Sequence, residues 1–269
     1  MNTAWETLGM AKKNITSLIT AITLLLFLLP ISLPGKDNDK YSSQIRKEAK
    51  RFGFKIAAQT TLPAGVSGSI VPPDQAAGEL LRFFSALNDL GIKFVRKSDL
   101  KNVVIVRNLS RHGKKLAGHA SRSCIYLKYG FDKRTVYHEM FHVFDDKNDN
   151  NAWQRLNHKD FRYLGVSYPD RPPAKDMQND LNKHYRKVKR NFDADFASKY
   201  AQTKEREDRA VTFACMVAEG KAFTARAAKS PVLYAKMMYI VKVTDKHSLM
   251  DETYWRKKLG DNVFSAVKK

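Results

Sequence analysis

Two histidines four residues apart, His138 and His142, with Glu139 directly after the first, constrain this chain more than any other feature. That spacing stacks two imidazoles one turn apart on the same side of an α-helix, where both rings can reach one metal ion. A helix is therefore required, and the neighbouring residues can build one. At the helical period Thr135, His138, His142, Asp145 and Asp146 fall on a narrow strip with Glu139 at its margin, while Val136, Tyr137, Met140, Phe141, Val143 and Phe144 fill the opposite arc. The pattern predicts a helix from Asp132 to Asp146 that is apolar behind and chemically equipped in front. Zinc suits imidazole, and a hydrolytic zinc site keeps one coordination position for water. The competing reading is two surface histidines on an amphipathic helix, and a third ligand separates the two.

Several arrangements of that third ligand are excluded by what is missing. A third histidine six residues after His142, with glycine three residues after it, would need Gly at 145 and His at 148, but the chain has Asp145 and Asn148. No Glu occurs between Glu139 and Glu205, so a glutamate ligand has to come from the segment that begins at Lys204. There Ala210, Val211, Ala214, Val217 and Ala218 form an apolar helix face, and Glu207 lies one turn before them on it. A carboxylate on such a face is costly unless it is paired or bound to a metal. Glu207 is then either a metal ligand or half of a buried salt bridge, while Glu205, Arg206, Asp208 and Arg209 read as surface residues.

His138-Glu-Met-Phe-His142-Val-Phe-Asp145, followed by Glu207-Asp-Arg-Ala-Val-Thr-Phe213, resembles the gluzincin metallopeptidases related to the catalytic domain of anthrax lethal factor. The resemblance covers residues 73–225, with motifs at the two helices. It departs at Val211, where the family often has a second Glu. It implies one Zn2+ per chain held by His138, His142 and Glu207, with Glu139 moving the proton during hydrolysis of a protein or peptide substrate. Tyr200, seven residues before Glu207, would lie near the metal and donate to the developing oxyanion. Asp145 is either an acceptor behind a ligand imidazole or a surface acid at the helix end. By the same resemblance the strand Cys124–Tyr129 would line the cleft and pair with an extended substrate.

Around this site the order of elements, helix and small sheet first and helices after, reads as an α+β domain. The expected divisions are a short tail over 1–14, an apolar span over 15–35, a basic helix and linker over 36–72, the zincin-like catalytic domain over 73–225 and a helical C-terminal extension over 226–269. Short strands are expected at 54–58, 92–95, 103–106 and 124–129, and helices at 74–91, 176–199, 204–218 and 231–243. The run Ile15–Leu33 is near the lower limit for crossing a bilayer and lacks a well-formed cleavage site, which favours a membrane anchor over a removed signal. Its flanking charges disagree about orientation; the short N-terminus with Lys12 and Lys13 favours export, which would let Cys124 and Cys215 pair. The catalytic part would then lie outside the cytoplasm.

The formal net charge is +21, and residues 1–35 hold only two of the basic residues and one of the acidic ones, so the soluble part carries nearly all of it. The charge is dispersed and suggests attraction to an anionic surface. A nucleic-acid reading is disfavoured, because aromatics are not interleaved with Arg and Lys. The alternative to an enzyme is a basic protein that binds an anionic polymer and keeps a structural or vestigial metal site.

Overall fold

The computed structural model describes residues 37–54, 56, 61–145, 151–165, 175–188 and 191–265. The expected span Ile15–Leu33 lies outside these residues, and among them no helix is long and apolar enough to cross a membrane. The compact unit Ser42–Lys269 contains the sheet and the helices that follow it.

Helix α1 (Asp37–Phe52) leads to strand β1 (Val66–Ile70), then α2 (Ala77–Leu90) and α3 (Ile92–Lys97). Next come β2 (Asn102–Arg111), β3 (Lys114–Lys115), β4 (Gly118–Ser121) and β5 (Cys124–Lys128). The rest is helical: α4 (Lys133–Asp145), α5 (Asn151–Gln154), α6 (Lys175–Val188), two 3-10 turns at Asp193–Asp195 and Lys199–Gln202, α7 (Glu205–Glu219), α8 (Lys221–Ala227), α9 (Pro231–Lys246), α10 (Glu252–Leu259) and α11 (Asn262–Ser265).

The sheet is mixed, in the order β1-β2-β5-β4, with β3 paired to β2. β2 and β5 run parallel, with Asn102 opposite Cys124 and Val106 opposite Lys128, whereas β1 pairs β2 and β4 pairs β5 antiparallel. Alternation along β2 sorts its side chains by face. Val103 and Ile105 join Ile125 and Leu127 in the main core beneath the helices. Val104, Val106, Leu109 and Tyr126 form a smaller cluster on the other face, closed by Leu62, Val66 and Ile70.

Local signals explain the helix ends. Asp132 Oδ1 accepts from the Thr135 N–H at 2.7 Å and caps α4, an arrangement worth about 1 kcal/mol. Ser230 caps α9 by accepting from the Leu233 N–H at 3.2 Å, with Pro231 in the first turn. At Gly220, between α7 and α8, φ is +56° and a Cβ would lie 2.8 Å from the Lys258 carbonyl oxygen, so glycine is needed for both conformation and space.

The expected elements differ from these in instructive ways. Residues 92–95 form the start of α3, not a strand: a four-residue apolar run cannot distinguish the two, and Phe94 and Val95 are buried from a helix. β1 occupies the Gly- and Ser-containing stretch expected to be a loop, where an irregularity between Ser67 and Ser69 accommodates Gly68. Phe54 and Ile56 are not in a strand, and the remainder of the strand expected there is outside the described residues. Of the helix expected over 176–199, the described part is α6 up to Val188, and its far end is replaced by 3-10 turns at Asp193–Asp195 and Lys199–Gln202. α8 has no counterpart among the expected elements, while α10 falls within the helical extension expected over 226–269.

Candidate metal centre

Two helices hold the site together. α4 turns its apolar arc into the core, where Phe141 meets Phe213 of α7 at a ring separation of 4.7 Å and Phe213 in turn stacks on Phe94 at 5.3 Å. This packing sets the opposite strip of α4 against the first turn of α7. His138 Nε2 and His142 Nε2 lie 3.0 Å apart, and Glu207 Oε2 is 3.2 Å from the first and 3.3 Å from the second. Donors bound tetrahedrally to one zinc at about 2.0 Å would be separated by about 3.3 Å. The three donor atoms already stand at that spacing, and they are the residues whose ligand atoms converge among those described.

The charge states of His142 and Glu207 agree with such a role. Burial, aided by the charge at His138, pushes the His142 imidazole down to about 4, which keeps it neutral. Burial works against a charge on His138, but the hydrogen bond it donates to Glu207 and the carboxylates of Glu139 and Glu207 outweigh it and raise its pKa. Burial likewise opposes ionisation of Glu207, but the two imidazoles win and hold its carboxyl well below the usual range. A neutral imidazole and an ionised carboxylate are the forms that bind a divalent metal.

Glu139 is 6% exposed and sits beside this cluster. Burial pushes its carboxyl up to about 7; the charge of His138 and a hydrogen bond from the Ala120 N–H pull the other way, and the charge of Glu207 adds to the rise. Its carboxylate borders a cleft of about 350 Å³. One wall is the segment 115–118, the other is Val211 and Ala214 of α7, with Arg134 and Tyr200 also on the lining. The Tyr200 ring is 6.1 Å from that of His138, on a 3-10 turn that packs against α7.

Three expectations are corrected here. Asp145 does not stand behind a ligand imidazole: its Oδ2 accepts from Arg209 Nε at 2.7 Å, while His142 Nδ1 is buried without a hydrogen-bond partner among the described residues. Nor is Asp145 a surface acid, since it is 4% exposed. The strand from Cys124 is not the cleft wall, because β5 lies inside the sheet between β2 and β4; the end strand beside Glu139 is β4. Asp208 and Arg209 are not surface residues, since both are buried. Asp208 accepts from Trp153 Nε1 at 2.9 Å and from the Tyr163 hydroxyl at 2.8 Å, and pairs with Lys236 Nζ of α9 at 2.8 Å. Arg209 reaches Glu205 as well as Asp145, each at 2.7 Å. Cys124 and Cys215 are not joined in a disulfide, and Cys215 Sγ accepts from Arg134 at 2.6 Å.

No protein-family model matches this chain, and no curated protein matches it in sequence. A crystal structure of a protein from Bacteroides caccae, titled a "putative zinc-binding metallo-peptidase", superposes with a TM-score of 0.52 at 14% identity, over 88% of this chain and 97% of that one. The chain has a metallopeptidase-like fold. Within it His138, His142 and Glu207 form a candidate metal-binding triad, and the donor set of two imidazoles and a carboxylate fits zinc.

Proposed function

We propose that this chain is a zinc-dependent metallopeptidase that cleaves internal bonds of a protein or peptide. The observation that carries the reading is the convergence of His138 Nε2, His142 Nε2 and Glu207 Oε2 within 3.0–3.3 Å of one another, with the Glu139 carboxylate beside them in a cleft. Zinc bound there would supply Lewis acidity and a water acidic enough to lose its proton near neutral pH. Glu139 would take that proton and return it to the leaving amine, a task suited to a buried carboxyl whose affinity for protons is close to the ambient pH. Tyr200 would donate to the oxygen that becomes negative as the carbonyl is attacked. The end strand β4 offers an extended peptide a backbone to lie along.

The order of ligands along the chain, with Tyr200 seven residues before Glu207, supports kinship with the lethal-factor type of gluzincin. Tethering by Ile15–Leu33, with the cleft outside the cytoplasm, belongs to the same proposal and rests on the sequence alone.

Metal analysis and digestion of labelled casein test the reading together. The wild-type chain should carry about one zinc and cleave casein in a chelator-sensitive way. Glu139→Ala should retain the metal and lose cleavage, whereas Glu207→Ala should lose both. A chain that binds zinc yet cleaves no protein, while binding acidic polymers with a steep dependence on salt, would replace the enzyme with a binding protein.

A further inference from the structure

Gly118, in the end strand β4, is a glycine for which the backbone gives no reason. It is absent from the residues with positive φ, so an L-amino acid would suit its conformation. Space is what excludes a side chain. A Cβ at 118 would lie 2.8 Å from Glu139 Cγ, 2.8 Å from Glu139 Oε1 and 2.8 Å from Thr135 Cγ2. Two of those three atoms belong to the residue assigned the proton transfer, and its carboxylate is held by the N–H of Ala120, two residues along the same strand.

The helix cannot easily retreat from such a Cβ. Val136, Met140 and Phe141 are fully or almost fully buried on its other side, and the core is close-packed. The easier response is rotation of the Glu139 side chain. Because Cγ is among the atoms met, that rotation has to take place near the root of the side chain, and it carries the carboxylate off the Ala120 N–H. The geometry points to Gly118 as a positioning residue for Glu139: the absent side chain lets the carboxylate lie flat against the strand, at the orientation proton transfer needs. This rests on the peptidase reading above.

The test is Gly118→Ala in the full, zinc-loaded chain, with fluorescein-labelled casein as substrate and zinc content and Tm measured alongside. The expected result is one zinc per chain, an unchanged KM and a kcat about 100-fold lower, the size of loss that a displacement of about 1 Å of a catalytic group produces. A readout independent of activity is the cycle with Glu139→Ala. Gly118→Ala should lower Tm by about 2–4 °C more when Glu139 is present than when it has been cut back.

Four results would overturn the assignment: kcat within threefold of wild type, a raised KM with kcat intact (Gly118 would then only make room for substrate), loss of zinc, or additive Tm changes. An inactive wild type with a non-additive cycle would sink the peptidase reading alone. An active wild type with an additive cycle would sink the positioning role alone.

Discussion

The two helices that meet at the metal centre are built on opposite plans. α4 has two faces: a core side of Val136, Met140 and Phe141, and a strip bearing His138 and His142, with Glu139 at its edge. α7 is buried from Asp208 to Val217 without interruption; its first turn carries the donor Glu207, and its next turns add only the apolar wall of Val211 and Ala214. The reagents thus sit mainly on a helix whose pattern is simple, and their alignment depends on a helix whose ties are internal. Two of those ties are ionic. Asp208 is held by Lys236 and Arg209 by Asp145, so α7 is fixed to α9 on one side and to the end of α4 on the other. Burial pushes the Asp208 carboxyl up and the Lys236 ammonium down, each opposed by the charge of its partner. An ion pair this deep adds little net stability when intact but is damaging to break.

If α7 provides position and α4 provides chemistry, cutting the ties of α7 should do more harm to the fold than cutting the ties at the start of α4. Lys236→Met, which keeps the aliphatic stem and strands Asp208, should cost roughly 3–5 kcal/mol in urea denaturation. A loss under about 1 kcal/mol would mean that packing alone holds α7.

Arg209→Met removes the guanidinium that bridges Asp145 and Glu205 and loosens the join between the helices nearer the ligands. It should lower zinc affinity by about 10–100-fold, the range seen when groups supporting metal ligands are removed, read by competition with a chelating dye. Unchanged affinity would detach the α4–α7 tie from the metal centre.

The smallest effect belongs to Asp89, which holds the first turns of α4 by accepting from the Tyr137 hydroxyl at 2.6 Å and from Lys133 at 2.9 Å. Partial burial raises its pKa, but those two donors win and hold the carboxyl below its usual value. A depressed carboxylate stabilises the fold above its unfolded pKa of about 4 and loses that contribution as pH falls through the folded value. Asp89→Asn should therefore cost no more than about 1 kcal/mol at pH 7, because solvent screens the pair, and should flatten the fall in stability as the solution is acidified below the unfolded pKa. A cost equal to that of Lys236→Met would erase the contrast between the helices.

The same contrast explains what could be read from the residues. α4 was legible because its chemistry and its apolar arc repeat at one period within a single stretch of chain, and Gly91 marked the end of α2 as glycine should. α7 was legible only in part. Glu207 stands at the head of an apolar row, but Glu-Arg-Glu-Asp-Arg looks like a solvated turn. The partners that bury Asp208 and Arg209, Lys236 and Asp145, lie in other helices, and no local pattern announces them. The cleft wall was misplaced for a related reason: the strand with the stronger apolar signal, β5, is the one covered on both edges. The four-residue β4, half exposed and nearly featureless, was missed although it touches Glu139.

Parallel strands such as β2 and β5 cannot be joined by a tight hairpin; the chain has to travel away and return. Here residues 112–123 make that journey, and on the way they build the cleft wall. The consequence is evolutionary. Insertions or deletions between Arg111 and Gly118 would remodel what the cleft admits while the central ladder and the ligand helices stay as they are. The part of the molecule most open to change is thereby the part that borders the cleft.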